Sequence, residues 1–116
     1  MTYVDGFVVP VRKDKLEEYR AMARLGSTVW REHGALDYRE CIADDVKPGK
    51  VTSFPQAVEL EPDEVVVFAW ITYRSRAHRD EVNAKVMADP RMKCDPNNMP
   101  FDGQRMIFGG FEALVE

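Results

Sequence analysis

The chain has 116 residues, of which 45% are hydrophobic and 31% charged, a balance that excludes a disordered protein and fits one globular domain. Sixteen basic and twenty acidic residues leave a net charge of −4, and no segment concentrates lysine and arginine, so a nucleic-acid partner is not expected. The amino terminus lacks the pattern of a signal peptide, and the longest apolar run, 65–71, is too short to span a bilayer. We therefore expect a cytoplasmic protein with no membrane contact and a single domain over residues 1–116.

The first half of the chain predicts a strand, a helix and a second strand. β-Branched and aromatic residues predict the first strand over 3–11. Apolar residues then recur at helical spacing and predict a helix over 15–33, with Asp14 as its N-cap and Gly34 as its stop. Residues 36–43 alternate less regularly, which fits a strand at a sheet edge with one solvated face.

A loop and a third strand follow. Prolines and glycine punctuate residues 44–63 as a folded loop, within which residues 54–58 fit one helical turn. Residues 64–73 are apolar at nearly every position, so this strand needs cover on both faces. We therefore expect the third strand at the centre of the sheet.

The remaining segment predicts a helix, a long loop and a fourth strand. Ser75 is a suitable N-cap for a helix that ends at Asp89, because the following proline disfavours helical geometry in the residue before it. Turn-forming residues then fill 91–103, and an apolar segment over 105–114 predicts the last strand.

The resulting order, βαββαβ, predicts an α+β ferredoxin-like sandwich with a four-stranded antiparallel sheet and strands one and three in its middle. Right-handed crossovers place both helices on one face of such a sheet. Because the two central strands are apolar on both faces, the opposite face needs a partner, and a second copy of the chain is the simplest one. We therefore expect a homodimer, with a sheet-face cavity suited to a small ligand.

Several short segments resemble a known family: YVDGF at 3–7, EHGA at 32–35, DDV at 44–46, MADPRM at 87–92 and MPFDGQRM at 99–106. They are similar to the YbaA-like family of small bacterial proteins of unknown function, over almost the whole chain. This resemblance implies a ferredoxin-like subunit of the dimeric α/β-barrel superfamily, whose members include cofactor-independent oxygenases, isomerases and proteins without known activity. It implies no catalytic residues, because none is established for that family.

Four residues are candidates for a cavity on the sheet, which we expect beside Asp5 and Trp70 on the face that the helices leave uncovered. Asp5 interrupts an apolar central strand, and a buried carboxylate must be paired or protonated. Arg105, at the start of the fourth strand, is its expected partner, and Trp70 is an expected apolar wall. His33 ends the first helix, where it either interacts with the helix dipole or serves as an acid or base in the cavity. The alternative for these residues is structural, as an ion pair, core packing and a helix terminus.

The sequence offers no metal or cofactor motif. Cys41 and Cys94 have no second cysteine or histidine at metal-ligand spacing, and we interpret both as reduced thiols. Cys41 falls within a predicted strand and is expected to be at least partly buried, whereas Cys94, between Lys93 and Asp95, is a candidate for exposure. His78 lies among charged residues and is expected on a solvated helix surface. We therefore expect no bound metal and no cofactor.

Three functions remain open at this point. The leading hypothesis is a cytoplasmic homodimer that binds a small, partly apolar molecule. The first alternative is a cofactor-independent oxygenase or isomerase in which His33 or Asp5 moves a proton. The second alternative is a non-catalytic structural or interaction dimer whose sheet face is filled by partner side chains.

Overall fold

The computed structural model describes residues 1–93 and 95–116, so Cys94 and its expected exposure lie outside the described residues. Short 3-10 turns stand before the first helix, at Lys13–Lys15, and after the last, at Pro90–Met92. Within the described ranges, no helix is long and apolar enough to cross a bilayer. The elements in chain order are β1 (Tyr3–Arg12), α1 (Leu16–Glu32), β2 (Asp37–Ile42), α2 (Phe54–Ala57), β3 (Glu64–Tyr73), α3 (Arg76–Ala88) and β4 (Ile107–Glu112).

The four strands form one antiparallel sheet in the order β2-β3-β1-β4. The predicted α+β class with a four-stranded antiparallel sheet is confirmed, as is the central position of β1 and β3. The predicted edge position of β2 is confirmed as well. The apolar character of β1 and β3 and the polar character of β2 therefore follow their positions in the sheet.

Element boundaries differ from the predictions at two places. The first helix begins at Leu16, and Asp14 is not its N-cap, because Asp14 lies in the preceding 3-10 turn and accepts a hydrogen bond from Arg12 Nη2 at 2.9 Å. The last strand begins at Ile107 and not at Arg105, because the backbone N–H of Arg105 donates to the Asp102 carbonyl in a turn. In both cases a local hydrogen bond competes with the regular element.

The end of α1 agrees with the predicted glycine stop. Gly34 has a φ of +116°, and its N–H donates to the Arg31 carbonyl, while the N–H of Ala35 donates to the Trp30 carbonyl. This pair of bonds is a Schellman motif, which satisfies the last free carbonyls of the helix and favours glycine at the left-handed position. The motif turns the chain directly into β2.

Both long helices pack on one face of the sheet, here called the inner face. Val29 of α1 and Val82 and Val86 of α3 form a buried cluster with Ile71 and Tyr73 of β3. Side chains alternate along a strand, so the odd-numbered residues of β1 and β3 belong to this inner face. The expectation that both helices cover the same face is confirmed.

The opposite face, here called the outer face, is apolar and partly exposed. Phe68 is 40% exposed, Ile107 45% and Phe111 64%, although each is a large hydrophobic residue in the sheet. The α2 segment covers one end of this face, where the Phe54 ring lies 5.7 Å from the Phe68 ring. The strand registers join nine outer-face residues of β1, β3 and β4 into one patch: Val4, Gly6, Val8, Phe68, Trp70, Thr72, Ile107, Gly109 and Phe111. Asp37, Arg39 and Cys41 of β2 border this patch on the same face.

Candidate functional site

A cavity of about 510 Å³ lies between the inner face of the sheet and the helices. Its floor is built from strand residues with their side chains on the inner face, namely Phe7, Val9, Ala69 and Ile71. The small side chain of Ala69 lies at the centre of this floor, between Phe7 on β1 and Glu40 on β2 in the strand register. The alternation of β1 and β3 therefore creates the floor, and Ala69 leaves space above it.

The cavity walls are mostly apolar and come from α1, α3 and the segment before β4. Leu25, Met87 and Phe108 at the wall are exposed to solvent, so the cavity is open on that side. Five of the six methionines of the chain line the cavity, together with aromatic rings from α1, β2, β4 and the loop before β4. These residues are Met22, Met87, Met92, Met99 and Met106, and Tyr19, Trp30, Tyr38, Phe101 and Phe108.

The first polar group of the cavity is the pair formed by Asp5 and Arg79. Asp5 is 6% exposed on the inner face of β1, and its Oδ1 accepts a hydrogen bond from Arg79 Nη1 at 3.0 Å. The same guanidinium reaches the Tyr3 hydroxyl at 3.3 Å and lies over the Tyr3 ring. Asn83, beside this pair in the cavity lining, accepts hydrogen bonds from Trp30 and Tyr73. Two helices and two central strands therefore hold this polar group.

Burial raises the pKa of the Asp5 carboxyl above its ordinary value, because desolvation disfavours the charged form. The Arg79 guanidinium opposes this effect and favours the charged form, but it does not cancel it. Asp5 also raises the pKa of Tyr73, after the larger effect of burial on that hydroxyl. The pair can therefore hold a proton at this end of the cavity more readily than an exposed aspartate.

The second polar group is a carboxylate held by two tyrosines. The hydroxyl of Tyr38 donates to Glu40 Oε2 at 2.6 Å, and the hydroxyl of Tyr19 donates to Glu40 Oε1. Burial and the neighbouring Glu40 charge raise the pKa of both tyrosines, so both remain protonated donors. Gly26 makes this arrangement possible, because a Cβ at that position would lie 2.8 Å from the Tyr38 hydroxyl oxygen.

A third polar cluster lies at the end of α1, next to the cavity. His33 Nε2 is 2.8 Å from Asp89 Oδ2, and Arg91 contacts the same carboxylate and Glu32. The hydrogen bonds from Arg91 and His33 hold the pKa of Asp89 well below its usual range. Of these residues only Arg91, in the 3-10 turn Pro90–Met92, lines the cavity. Its hydrogen bonds to Glu32 hold this turn against the end of α1.

The structure does not bring the four predicted site residues together. Asp5 lines the cavity, and His33 lies beside it without lining it. Trp70 pairs in register with Gly6 on the outer face, where it packs edge to face against Phe68. Because the side chains of Asp5 and Trp70 point to opposite faces of the sheet, they do not share this cavity.

The predicted pairing of Arg105 with Asp5 is wrong. Arg105 forms two hydrogen bonds with Glu64, at 2.7 and 2.6 Å, and also contacts Asp102 and the carbonyls of Val58 and Glu59. The physical reason is that β4 begins only at Ile107, so Arg105 lies beyond the paired strands near the start of β3. The actual partner of Asp5 is Arg79 of α3.

Two further expectations are corrected. His78 is buried, with an exposure of 8%, because its Nδ1 accepts a hydrogen bond from the Arg74 backbone and its ring packs on Tyr73. Cys41 is exposed and not buried, because it lies on edge strand β2. Within residues 1–93 and 95–116, no group of three histidine, cysteine, aspartate or glutamate side chains could hold a metal ion.

Sequence reasoning missed the polar residues that share the cavity with Asp5, namely Arg79, Asn83, Arg91, Lys93 and the group formed by Tyr19, Tyr38 and Glu40. One signal was available only for the group of Tyr19, Tyr38 and Glu40. Tyr38 and Glu40 are two residues apart on a strand and so belong to the same face, which makes a hydroxyl and carboxylate contact possible. No comparable pattern in the sequence joins Arg79 to Asp5.

The fold and the cavity define a class of small α+β proteins in which one antiparallel sheet carries two long helices on its inner face and a mostly apolar cavity between them. A family model described as "Protein of unknown function (DUF1428)" matches residues 2–103. The chain is 53% identical over 116 residues to the "Uncharacterized protein YbaA" of Escherichia coli strain K12, which covers 100% of this chain and 99% of that protein. The same identity and coverage hold for the YbaA proteins of Escherichia coli O157:H7 and Shigella flexneri. The chain therefore belongs to the DUF1428 family, and its resemblance to YbaA is confirmed.

Proposed function

We propose that this protein is a cytoplasmic homodimer that binds a small, partly apolar molecule in the cavity on the inner face. The observation that carries the proposal is the cavity itself, which combines about 510 Å³ of space, apolar walls and a few converging polar groups. Small-molecule sites have this size and composition. The open side, lined by Leu25, Met87 and Phe108, supplies an entrance.

The arrangement of the subunit supports the remaining parts of this proposal. The order β2-β3-β1-β4, with both long helices on the inner face, is consistent with one ferredoxin-like domain. The exposed outer face then supplies the surface through which two copies pair as a dimeric α/β barrel. The Phe111 ring lies against Gly6 and Gly109 at its centre, and none of the nine residues of the patch is charged, so an apolar partner surface can pack on it.

The position of the cavity on the inner face helps to choose between ligand binding, a purely structural dimer and an enzyme. A dimer formed through the outer face leaves the inner-face cavity unfilled, which favours ligand binding over a purely structural dimer. A catalytic version, as a cofactor-independent oxygenase or isomerase, is supported by the buried Asp5, since a carboxyl with a raised pKa is suited to proton transfer. His33 does not line the cavity, so Asp5 is the residue that this version retains.

Filling the cavity tests the binding site. We expect Ala69→Leu to abolish the binding of phenethyl alcohol, a small aromatic probe, because the added carbons occupy the space above the floor. The measurement is thermal unfolding with increasing probe, since a ligand at about 100 times its Kd stabilises a protein by about 2.7 kcal/mol. Thr72→Leu is the matched control, because Thr72 is on the outer face of the same strand. Binding that is unchanged in Ala69→Leu would place the probe elsewhere.

A charge on the outer face tests the dimer. We expect the parent protein to sediment as a dimer at micromolar concentration and Phe111→Lys to sediment as a monomer, because the substitution places a charge in the apolar patch. Leu114→Lys is the control, since Leu114 is 93% exposed and follows β4. A monomeric parent protein contradicts this part of the proposal.

A further inference from the structure

The carboxylate of Glu40 differs from the other partly or fully buried carboxylates of the molecule in its partners. Asp5 pairs with Arg79, Glu64 with Arg105, and Asp89 with His33 and Arg91. Glu40 receives only the two tyrosine hydroxyls, and no lysine, arginine or histidine of the described residues forms an ion pair with it. Charges in partly buried positions are normally paired. Arg79, Arg91 and Lys93 also line this cavity, but Arg79 and Arg91 pair with other carboxylates and none of the three forms an ion pair with Glu40.

The surroundings of Glu40 also favour a cation. Tyr38 packs against Trp30 with ring centroids 6.0 Å apart, and Tyr19 packs against Phe101 with ring centroids 5.8 Å apart. All four rings line the same cavity as Glu40. Aromatic rings attract cations through their electron-rich faces, and this attraction is stronger where water is excluded. A carboxylate among aromatic rings is therefore suited to a positively charged group.

The floor of the cavity determines how the rest of such a ligand lies. In the strand registers Ile71 stands between Asp5 and Tyr38, and Ala69 stands between Phe7 and Glu40. The Cα atoms of Asp5 and Glu40 are therefore separated by two strand spacings across the sheet and by two residues along the strand, which is roughly 12 Å. The surface between them is apolar. A ligand with its charge at Glu40 would place an apolar body over Ala69 and Ile71.

We propose that the cavity binds a molecule with a protonated amine on an apolar, preferably aromatic, body, and that Glu40, held by Tyr19 and Tyr38, accepts the ammonium group. This inference rests on the proposed ligand-binding function and names the chemical class of the ligand. The two tyrosine hydroxyls use one hydrogen-bonding position on each carboxylate oxygen, which leaves further lone pairs for ammonium donors. The pair of Asp5 and Arg79 is already compensated and does not provide this selectivity.

Three probes with the same phenyl body test the inference: phenethylamine, phenethyl alcohol and phenylacetate. We expect the parent protein to bind phenethylamine about tenfold more tightly than phenethyl alcohol, as a charge-assisted hydrogen bond would allow, and phenylacetate most weakly. In Glu40→Gln the amine should lose this advantage, while the affinity for phenethyl alcohol should change by less than about twofold. Affinities are measured by isothermal titration calorimetry at neutral pH.

Asp37→Asn is the matched control, because Asp37 is on the same strand but does not line the cavity, and the amine preference should persist in it. Should Glu40→Gln not fold, the ranking of the three probes in the parent protein decides the question. Equal binding of all three probes, or tightest binding of phenylacetate, overturns the inference while leaving the proposed ligand-binding function intact. If none of the three probes binds, both the inference and the proposed function fail for this class of molecule.

Discussion

Arg105→Met is expected to lower the free energy of unfolding by about 3–5 kcal/mol, the usual cost of removing one partner from a buried ion pair. The Glu64 side chain is only 3% exposed, so it would keep a charge that water does not reach. The variant would also lose the hydrogen bonds from Arg105 to the carbonyls of Val58 and Glu59, which fix the loop before β3. Since small domains have total stabilities of about 5–15 kcal/mol, urea unfolding should detect the change clearly.

The pH dependence gives an independent check on this pair. The hydrogen bonds from Arg105 hold the folded-state pKa of Glu64 below its ordinary value. The pair therefore contributes stability that is present above the ordinary pKa of glutamate and is lost as the pH falls through the lowered folded-state pKa. This acid-induced loss should be smaller in Arg105→Met, because Glu64 there keeps only the backbone hydrogen bond from Glu61 in favour of its charged form.

Two control variants separate the buried pair from its surface neighbour. Asp102→Asn removes the exposed partner of Arg105, and we expect it to cost less than about 1 kcal/mol. A double variant, Glu64→Leu with Arg105→Met, should recover much of the loss, since it leaves no uncompensated charge. A loss in Arg105→Met no larger than that of Asp102→Asn would show that the pair is not a major source of stability.

Arg79→Met should destabilise the protein by a similar amount, about 3–5 kcal/mol, but only where Asp5 is charged. The folded-state pKa of Asp5 is raised, so its contribution to stability is fully present below the ordinary pKa of aspartate and is lost as the pH rises through the raised value. Without Arg79 this pKa rises further, because burial is then opposed by fewer favourable contacts. The difference between the two proteins should therefore be small in acid and largest at neutral and alkaline pH.

The measurement is urea unfolding of both proteins across this pH range. Arg76→Met is a suitable control, because the Arg76 side chain is 74% exposed and its removal should change stability by less than about 0.5 kcal/mol. The double variant with Asp5→Asn should lose the added pH dependence. A loss of stability in Arg79→Met that is equal at all pH values would mean that lost packing, and not the Asp5 charge, is the cause.

The secondary structure could be predicted closely because local signals agree with the fold. Continuous apolar character placed β3 over 64–73, which are its observed bounds, and Gly34 ended the first helix as expected. The errors arose at element ends, where short-range contacts decide. Aspartate is a common N-cap residue, but the carboxylate of Asp14 accepts a hydrogen bond from Arg12 instead. The last strand starts later than predicted because the residues after Asp102 form a turn. Such competition between nearby partners is not visible in hydrophobic periodicity.

The candidate site could be predicted only in part. Asp5 was identified because a carboxylate in an apolar strand is unusual, and it does line the cavity. Its partner Arg79 is 74 positions away in the chain, and the contact depends on how α3 crosses β1, which no local pattern encodes. Trp70 was assigned to the wrong face relative to Asp5, because both faces of β3 are apolar and alternation alone does not say which one the helices cover.

The methionines that line the cavity have a consequence for the thermodynamics of binding. A methionine side chain has three rotatable bonds, and ordering it costs up to about 2 kcal/mol of conformational entropy. Five such side chains make the empty cavity adaptable in shape, and a ligand that fills it must restrict several of them at once. Binding should therefore combine a favourable enthalpy with an entropic penalty, and it should tolerate variation in the outline of the apolar body more readily than a change in the charge that the ligand carries.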